Sequence, residues 1–156
     1  RHGYESTIEN MVKYVNDIAG IRVICSFTSD IYRIAEMIRL QNDIHVIAVK
    51  DYIRLPKASG YKSYHMLVTV PVFLSDRTVD VKVEIQIRTV AMDFWASLEH
   101  KIYYKFEGNA PQYISQELRD CAAIISKLDA KMLSLNEAII AEKERQQREE
   151  EQIKIS

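Results

Sequence analysis

The segment Val79-Asp-Val-Lys-Val-Glu-Ile-Gln-Ile-Arg-Thr89 alternates between apolar and polar side chains. A period of two predicts a β-strand, because successive side chains of a strand point to opposite faces of the sheet. Glu84, Gln86 and Arg88 then share one face. Burying a carboxylate in a sheet is costly unless it is paired or binds a metal. This face is therefore a candidate functional site, and the alternative is a solvated face with a Glu84–Arg88 ion pair.

The segments around this strand predict an α+β (mixed α/β) fold in which helices flank a mixed sheet. Apolar and β-branched runs predict strands at 18–27, 44–53 and 63–72, and the stretch 74–78 predicts a hairpin connection. Apolar residues at helical spacing predict the helices. These are expected at 6–15, from Ser29 or Asp30 as N-cap, from Thr89 as N-cap to about Lys105, and from 114 to about 151.

The composition is that of a globular domain and excludes several classes of protein. The 156 residues are 47% hydrophobic and 28% charged, which excludes wholesale disorder. The net charge of −1 favours neither nucleic acid nor a membrane as partner. No apolar run approaches the ~20 residues that span a bilayer. Cys25 and Cys121 are both expected to be reduced core residues of a cytosolic protein.

The segment 50–65 is locally basic and forms a second candidate site. It holds four basic residues against one acidic residue, and it contains Gly60. Cations next to a glycine-containing loop suit phosphate oxygens, and an exposed Tyr61 offers a flat face on which a base can stack. The alternative is a solvated turn, because basic loops are common.

Asp17 directly precedes the first predicted strand of the sheet. It is either a turn residue or a partner of Glu84, and two carboxylates that meet over a sheet form a hard-oxygen site for Mg²⁺. The sequence contains neither a Gly-x-x-x-x-Gly-Lys phosphate loop nor a Gly-x-Gly-x-x-Gly motif. Nucleotide binding would therefore need another route. The spacing of cysteine and histidine gives little support to a zinc site.

Several segments, taken together and in order, resemble the synthetase domain of the RelA/SpoT homologue family. They are Asp17-Ile-Ala-Gly-Ile-Arg22, Lys50-Asp-Tyr-Ile53, Pro56-Lys-Ala-Ser-Gly-Tyr61, Glu84-Ile-Gln-Ile-Arg-Thr89 and Phe94-Trp-Ala-Ser-Leu-Glu-His100. With a helical C-terminus and no hydrolase domain, the chain resembles the small alarmone synthetases, and residues 91–105 resemble those of the RelP-like branch. The resemblance implies a nucleotidyltransferase-like mixed sheet with long C-terminal helices.

The resemblance implies that pyrophosphate is transferred from ATP to the 3′-hydroxyl of GDP or GTP, which makes ppGpp or pppGpp. It implies Mg²⁺ held by Asp17 and Glu84, or Glu84 as the base on the 3′-hydroxyl. It assigns Arg22 to stacking on adenine and places Arg1 at the ATP site. By the same resemblance, Tyr61 stacks on guanine, Asp93 reads the guanine edge, Lys50, Lys57 and His65 contact phosphates, and Gln86 and Arg88 support the site.

Residues 1–106 are expected to form the synthetase domain, whose basic ATP-binding segment lies upstream of Arg1, and residues 107–156 a helical oligomerisation region. The resemblance implies a homotetramer in the bacterial cytoplasm. Two alternatives remain: a catalytically weak guanine-nucleotide-binding regulator, and a helical oligomerisation or RNA-binding module. The presence of both Asp17 and Glu84 argues against the regulator, because a non-catalytic binder would not require both. The net charge of the tail 142–156, close to zero, argues against nucleic acid.

An apolar stripe runs along the last predicted helix. Its members recur at three- and four-residue steps, and they are Leu118, Ala122, Ile125, Leu128, Met132 and Leu135. The stripe is too long for one small sheet to cover, so part of it is expected to pack on the domain and part on another subunit. The alternative is a helix folded back wholly onto its own domain. The charged run 142–151 is expected to be solvated or frayed.

Overall fold

A computed structural model describes residues 18–155 of the chain. The strands are β1 (Ala19–Cys25), β2 (His45–Asp51), β3 (Tyr64–Phe73) and β4 (Thr78–Thr89), and the helices are α1 (Thr28–Arg39), α2 (Val90–Lys105) and α3 (Gln112–Ile155). The strands form one sheet in the order β1-β4-β3-β2. β1 is parallel to β4, whereas β4 with β3 and β3 with β2 are antiparallel. The predicted α+β fold with a mixed sheet is therefore confirmed.

The apolar face of the sheet packs against α1 and forms the main core. Met66 of β3, Ile87 of β4 and Ile31 of α1 are each at most 1% exposed. Val83 and Ile85 lie on the same face of β4 as Ile87 and are also buried. The alternation in β4 thus separates a buried apolar face from the polar face that carries Glu84, Gln86 and Arg88, as the sequence predicts.

A second, smaller core joins α2 to the first turns of α3. Trp95 of α2 is buried against Leu118 and Ala122, and its Nε1 donates a hydrogen bond of 2.8 Å to the backbone oxygen of Leu118. At the start of α2, the Oγ1 of Thr89 accepts a hydrogen bond of 3.1 Å from the backbone N–H of Met92. This contact confirms Thr89 as the predicted N-cap.

Helix α3 is a single element of 44 residues, and among the described residues it packs on the domain only through its first half. Leu128, Met132 and Leu135 are 50%, 44% and 53% exposed, so the sheet and α2 leave the distal part of the apolar stripe uncovered. The run 142–151 is exposed but helical rather than frayed. In the described part of the chain, no helix combines the length and the apolarity that crossing a membrane requires.

The N-cap of α1 and the burial of one cysteine differ from the sequence predictions. Helix α1 begins at Thr28, so neither Ser29 nor Asp30 is its N-cap, and the Asp30 carboxylate instead accepts a hydrogen bond from the backbone N–H of Phe27 at 3.2 Å. Cys25 is buried as predicted, but Cys121 is exposed, because it lies beside the buried face of α3 rather than on it. The predicted helix at 6–15 falls outside the described residues.

Candidate functional site

The strand register brings four of the predicted site residues into one row across the polar face of the sheet. Arg22 of β1 pairs with Gln86 of β4, Gln86 pairs with His65 of β3, and His65 pairs with Lys50 of β2. These residues are far apart in the chain, and only the strand order places them side by side. The row ends in a cation at each edge of the sheet, which favours a polyanionic ligand across it.

Glu84 lies on the same face of β4 as Gln86, two residues earlier in the strand. Its Oε1 accepts a hydrogen bond of 2.9 Å from Nε2 of Gln86 and lies 3.7 Å from Nδ1 of His65. Its neighbour on β1 is Gly20, and no atom of residues 18–155 lies within 4 Å of the place where a Cβ on Gly20 would be. The carboxylate therefore has open space beside it.

Arg88 is the buried centre of the polar face, with a side chain only 5% exposed. Its guanidinium donates to Oγ of Ser63 at 3.3 Å, to Oδ1 of Asp93 at 3.1 Å, to the hydroxyl of Tyr61 at 2.6 Å and to Oε1 of Gln86 at 2.7 Å. The alternative of a solvated face with a Glu84–Arg88 ion pair is therefore wrong. Gln86 lies between the two and links the guanidinium to the carboxylate.

Tyr61 is half-buried in the structure, which corrects the expectation that it is exposed. Its hydroxyl lies 3.0 Å from Nε2 of His65 as well as accepting from Arg88. The Nζ of Lys57 lies 4.9 Å from the centre of the Tyr61 ring and 4.9 Å from that of Tyr52. A cation thus lies over the aromatic surface where a base would stack.

Burial lowers the pKa of His65 below its ordinary value. Arg88, Lys57 and Lys50 act in the same direction, and the Glu84 carboxylate opposes them. The imidazole is therefore neutral at neutral pH, with one ring nitrogen as acceptor and the other as donor. At the phosphate position that the resemblance assigns to it, His65 would act by hydrogen bonding rather than by charge.

A cleft of about 580 Å³ opens over this part of the sheet. Six predicted residues line it, namely Lys50, Lys57, Tyr61, His65, Glu84 and Gln86. A second cleft of about 580 Å³ adjoins it and is lined by Arg22, Arg88, His100 and Lys101. Tyr61 and Glu99 line both clefts. Two adjoining clefts of this size suit a pair of nucleotides.

Glu99 lines both clefts, but the sequence predicts no role for it, although it lies in the segment Phe94–His100 that carries the resemblance. Its Oε2 is buried and has no hydrogen-bond partner among the described residues. Burial raises the pKa of this carboxyl group, while Lys57 and His100 lower it. An unpartnered buried acceptor is costly without a ligand. The signal available in the sequence was the position of Glu99 on the helix that follows the polar strand.

Asp93 lies at the start of α2 and already holds two guanidinium groups. Its Oδ1 is 3.1 Å from Nη1 of Arg88 and 3.3 Å from Nη1 of Arg22. The Arg22 side chain is 52% exposed, so it can leave this pair easily, whereas Arg88 is fixed. The structure therefore places Asp93 and Arg22 together at the edge of the second cleft.

Of the two predicted metal ligands, Glu84 lies within residues 18–155 and Asp17 lies outside the described residues. Among residues 18–155 no group of three His, Cys, Asp or Glu side chains could hold a metal ion. Asp17 and Arg1 lie outside the described residues, although Ile18, next to Asp17 in the chain, lines the first cleft with Glu84. A carboxylate oxygen with open space beside it fits a hard cation such as Mg²⁺.

The mixed sheet carries a cation-rich cleft over one face, and such a cleft suits a ligand that bears phosphate groups. Residues 3–109 match the family model described as a region found in RelA/SpoT proteins. The chain belongs to the RelA/SpoT family.

Similar proteins are named as pyrophosphokinases and alarmone synthetases. The chain is 48% identical over 139 residues to the GTP pyrophosphokinase YwaC of Bacillus subtilis (strain 168), which covers 89% of this chain and 66% of YwaC. It therefore spans just under two thirds of that relative. The crystal structure of small alarmone synthetase 2 from Bacillus subtilis matches with a TM-score of 0.77 and 45% identity, over 85% of this chain and 77% of that one. Small alarmone synthetase 1 from Bacillus subtilis, bound to its product pppGpp, matches with a TM-score of 0.75 and 38% identity, over 84% and 68%.

Proposed function

We propose that this protein transfers pyrophosphate from ATP to the 3′-hydroxyl of GDP or GTP, releasing AMP and forming ppGpp or pppGpp. The observation that carries the proposal is the position of Glu84 in one cleft with Lys50, Lys57 and neutral His65. Such a transfer needs the reactants held in line and their phosphate charge neutralised, with little covalent chemistry from the protein. The names of the similar proteins support the same reaction.

Glu84 and Asp17 are the residues that would hold Mg²⁺, and the bound ion would neutralise phosphate charge. The remaining work falls to side chains of the described chain. Gln86 orients the Glu84 carboxylate through its 2.9 Å hydrogen bond, and Arg88 holds Gln86 in turn. This chain of contacts fixes Glu84 in the position where it faces the nucleotide. Glu84 can also accept the proton of the 3′-hydroxyl.

The guanine base would stack on Tyr61, which supports it from the basic loop. Stacking requires a free ring face, so the Lys57 ammonium moves off the ring and becomes available to the phosphates. The buried Oε2 of Glu99 can accept a hydrogen bond from the guanine N2 amino group, a donor that adenine lacks at this position. Asp93, which the resemblance assigns to the guanine edge, lies at the edge of the second cleft and contacts Arg88 and Arg22.

Replacement of Tyr61 by Ala is expected to raise the KM for GDP or GTP by about 5- to 150-fold, the loss of one stacking contact. The KM for ATP should change far less. Tyr61→Phe keeps the ring but loses the hydroxyl that accepts from Arg88, so it separates stacking from hydrogen bonding. Steady-state kinetics with each nucleotide varied in turn measures the effect. Equal rises for both nucleotides in Tyr61→Ala would contradict a stacking role.

ATP would occupy the second cleft, where Arg22 can leave Asp93 and stack on adenine. Arg1, which the resemblance places at the ATP site, would contact the phosphates. The substrates are nucleotides of the cytosol, so we place the enzyme in the bacterial cytoplasm. The segment 91–105 supports the RelP-like branch.

The chain is proposed to divide into a synthetase domain at 1–106 and an oligomerisation region at 107–156. Helix α3 is about 66 Å long, roughly twice the diameter of a small domain, and its distal stripe is half-exposed at Leu128, Met132 and Leu135. Such a stripe supports burial between subunits with closed symmetry. We assign the protein a homotetramer held by α3.

Replacement of Leu128 and Leu135 by Glu is expected to turn the oligomer into monomers, because each charge would be buried in an apolar contact. Deletion of residues 142–156 is the matched control. Residues 142–155 are exposed and rich in charge, so their loss should leave the assembly intact. Multi-angle light scattering at micromolar concentration measures the mass. A monomeric wild-type protein would contradict the shared interface.

A further inference from the structure

The turn that carries Tyr61 is pressed against helix α3 at Gly60. Gly60 has a φ of +96°, which favours glycine, and a Cβ added there would lie 2.7 Å from the Cβ of Ala122. The turn is closed by hydrogen bonds from the Gly60 N–H to the Lys57 oxygen at 2.8 Å and from the Lys57 N–H to the Tyr61 oxygen at 3.1 Å. Backbone and helix are therefore in direct contact immediately before Tyr61.

A hydrogen bond joins the same helix to the residue that follows Tyr61. The Nζ of Lys62 donates to Oγ of Ser126 at 2.6 Å, and Oγ of Ser126 donates to the backbone oxygen of Ala122 at 3.0 Å. Lys62 and Ser126 are both half-buried. They line a small crevice of about 220 Å³ between the turn and α3, and Lys57 lines both this crevice and the cleft that holds Glu84.

Tyr61 is thus held on both sides by one face of α3, at Gly60 through close packing and at Lys62 through a charged hydrogen bond. We propose that Ser126 is a positioning residue: by anchoring Lys62 to α3, it holds the Lys57–Lys62 turn in the conformation that presents Tyr61 to the guanosine nucleotide. The proposal rests on the proposed function, in which Tyr61 stacks on guanine. It makes α3 part of the nucleotide site as well as the oligomerisation element.

The expected signature is specific to one substrate. Without the hydrogen bond between Lys62 and Ser126, the turn samples other conformations. Binding of GDP or GTP must then order the turn, and the free energy that this ordering costs weakens the binding. ATP, which would lie beside Arg22, does not use the turn. Once both nucleotides are bound the turn is ordered again, so kcat should be nearly unchanged.

Ser126→Ala in the full chain is the test, with Ser126→Thr as the variant that keeps the hydroxyl. Alanine favours the helix, so the variant is expected to fold. The matched control is Ser134→Ala, at an exposed serine two turns further along α3. The proposal predicts a rise of about tenfold in KM for GDP with Ser126→Ala, the loss of one charge-assisted hydrogen bond. Ser126→Thr and Ser134→Ala should stay within about twofold of wild type, as should the KM for ATP.

Hydrogen exchange of the Lys57 and Gly60 amides gives a readout that does not depend on activity. Both amides should exchange faster in Ser126→Ala and in Lys62→Met, and at the wild-type rate in Ser134→Ala. Unchanged exchange together with an unchanged KM for GDP, or an equal rise in both KM values, would overturn the proposal. If the wild-type protein makes no ppGpp, the proposed function fails, while the exchange rates still decide whether Ser126 holds the turn.

Discussion

Glu84→Gln is expected to lower the rate of ppGpp synthesis by about a thousandfold, the scale of losing a positioned base. The amide can still accept the hydrogen bond from Gln86, so the local geometry should persist. It can neither bind a cation as a carboxylate does nor take a proton from the 3′-hydroxyl. Quenched-flow or end-point assays of labelled ATP with GDP measure the loss.

Asp80→Asn is the matched control for this substitution. Asp80 lies on the same polar face of β4 but is exposed and does not line the cleft. It should leave synthesis within about twofold of wild type, as expected for an exposed surface residue. If Glu84→Gln retained a tenth or more of the wild-type rate, Glu84 would be neither the essential base nor an essential metal ligand of the site.

Arg88→Met should produce the largest loss of stability, about 3–5 kcal/mol in the free energy of unfolding. The substitution removes the donor for Ser63, Asp93, Tyr61 and Gln86, and it leaves the Asp93 carboxylate without its buried partner. Activity should fall with it, because Gln86 and Tyr61 lose their support. Urea denaturation followed by circular dichroism measures the change.

Arg33→Met provides the comparison for a surface ion pair. Arg33 contacts Asp30 at 2.8 Å, but its side chain is 72% exposed, against 5% for Arg88. Its removal should cost less than about 1 kcal/mol. Similar losses for the two variants would mean that the buried network around Arg88 does not stabilise the sheet.

The elements of the fold could be predicted because each depends on local pattern. Alternation in 79–89 gives β4 both its boundaries and its two faces, and Thr89 caps α2 through its own side chain. The predicted N-cap of α1, Ser29 or Asp30, was wrong because two adjacent polar residues compete for this position. In the structure Asp30 lies in the first turn, and its carboxylate accepts a hydrogen bond from the backbone N–H of Phe27. Local pattern also cannot separate the buried face of α3 from its flank, where Cys121 lies.

The candidate site could be predicted as a set of residues but not as an arrangement. The row Arg22, Gln86, His65 and Lys50 exists only because β4 lies between β1 and β3, and strand order is not readable from a segment. The partial burial of Tyr61 could not be predicted, because it depends on contact between Gly60 and a helix that is distant in the chain. The contact of Ser126 with Lys62 could not be predicted, because the apolar stripe of the helix gives no information about its polar residues.

The identity of the adenine nucleotide produced tests the proposed reaction most directly. The full-length protein is incubated with ATP, GDP and Mg²⁺, and the nucleotides are separated and quantified. Pyrophosphate transfer predicts AMP and ppGpp in equal amounts, and neither product with Glu84→Gln. Formation of ADP in place of AMP, or tight binding of GDP with no ppGpp formed under any condition that keeps the protein folded, would contradict the account.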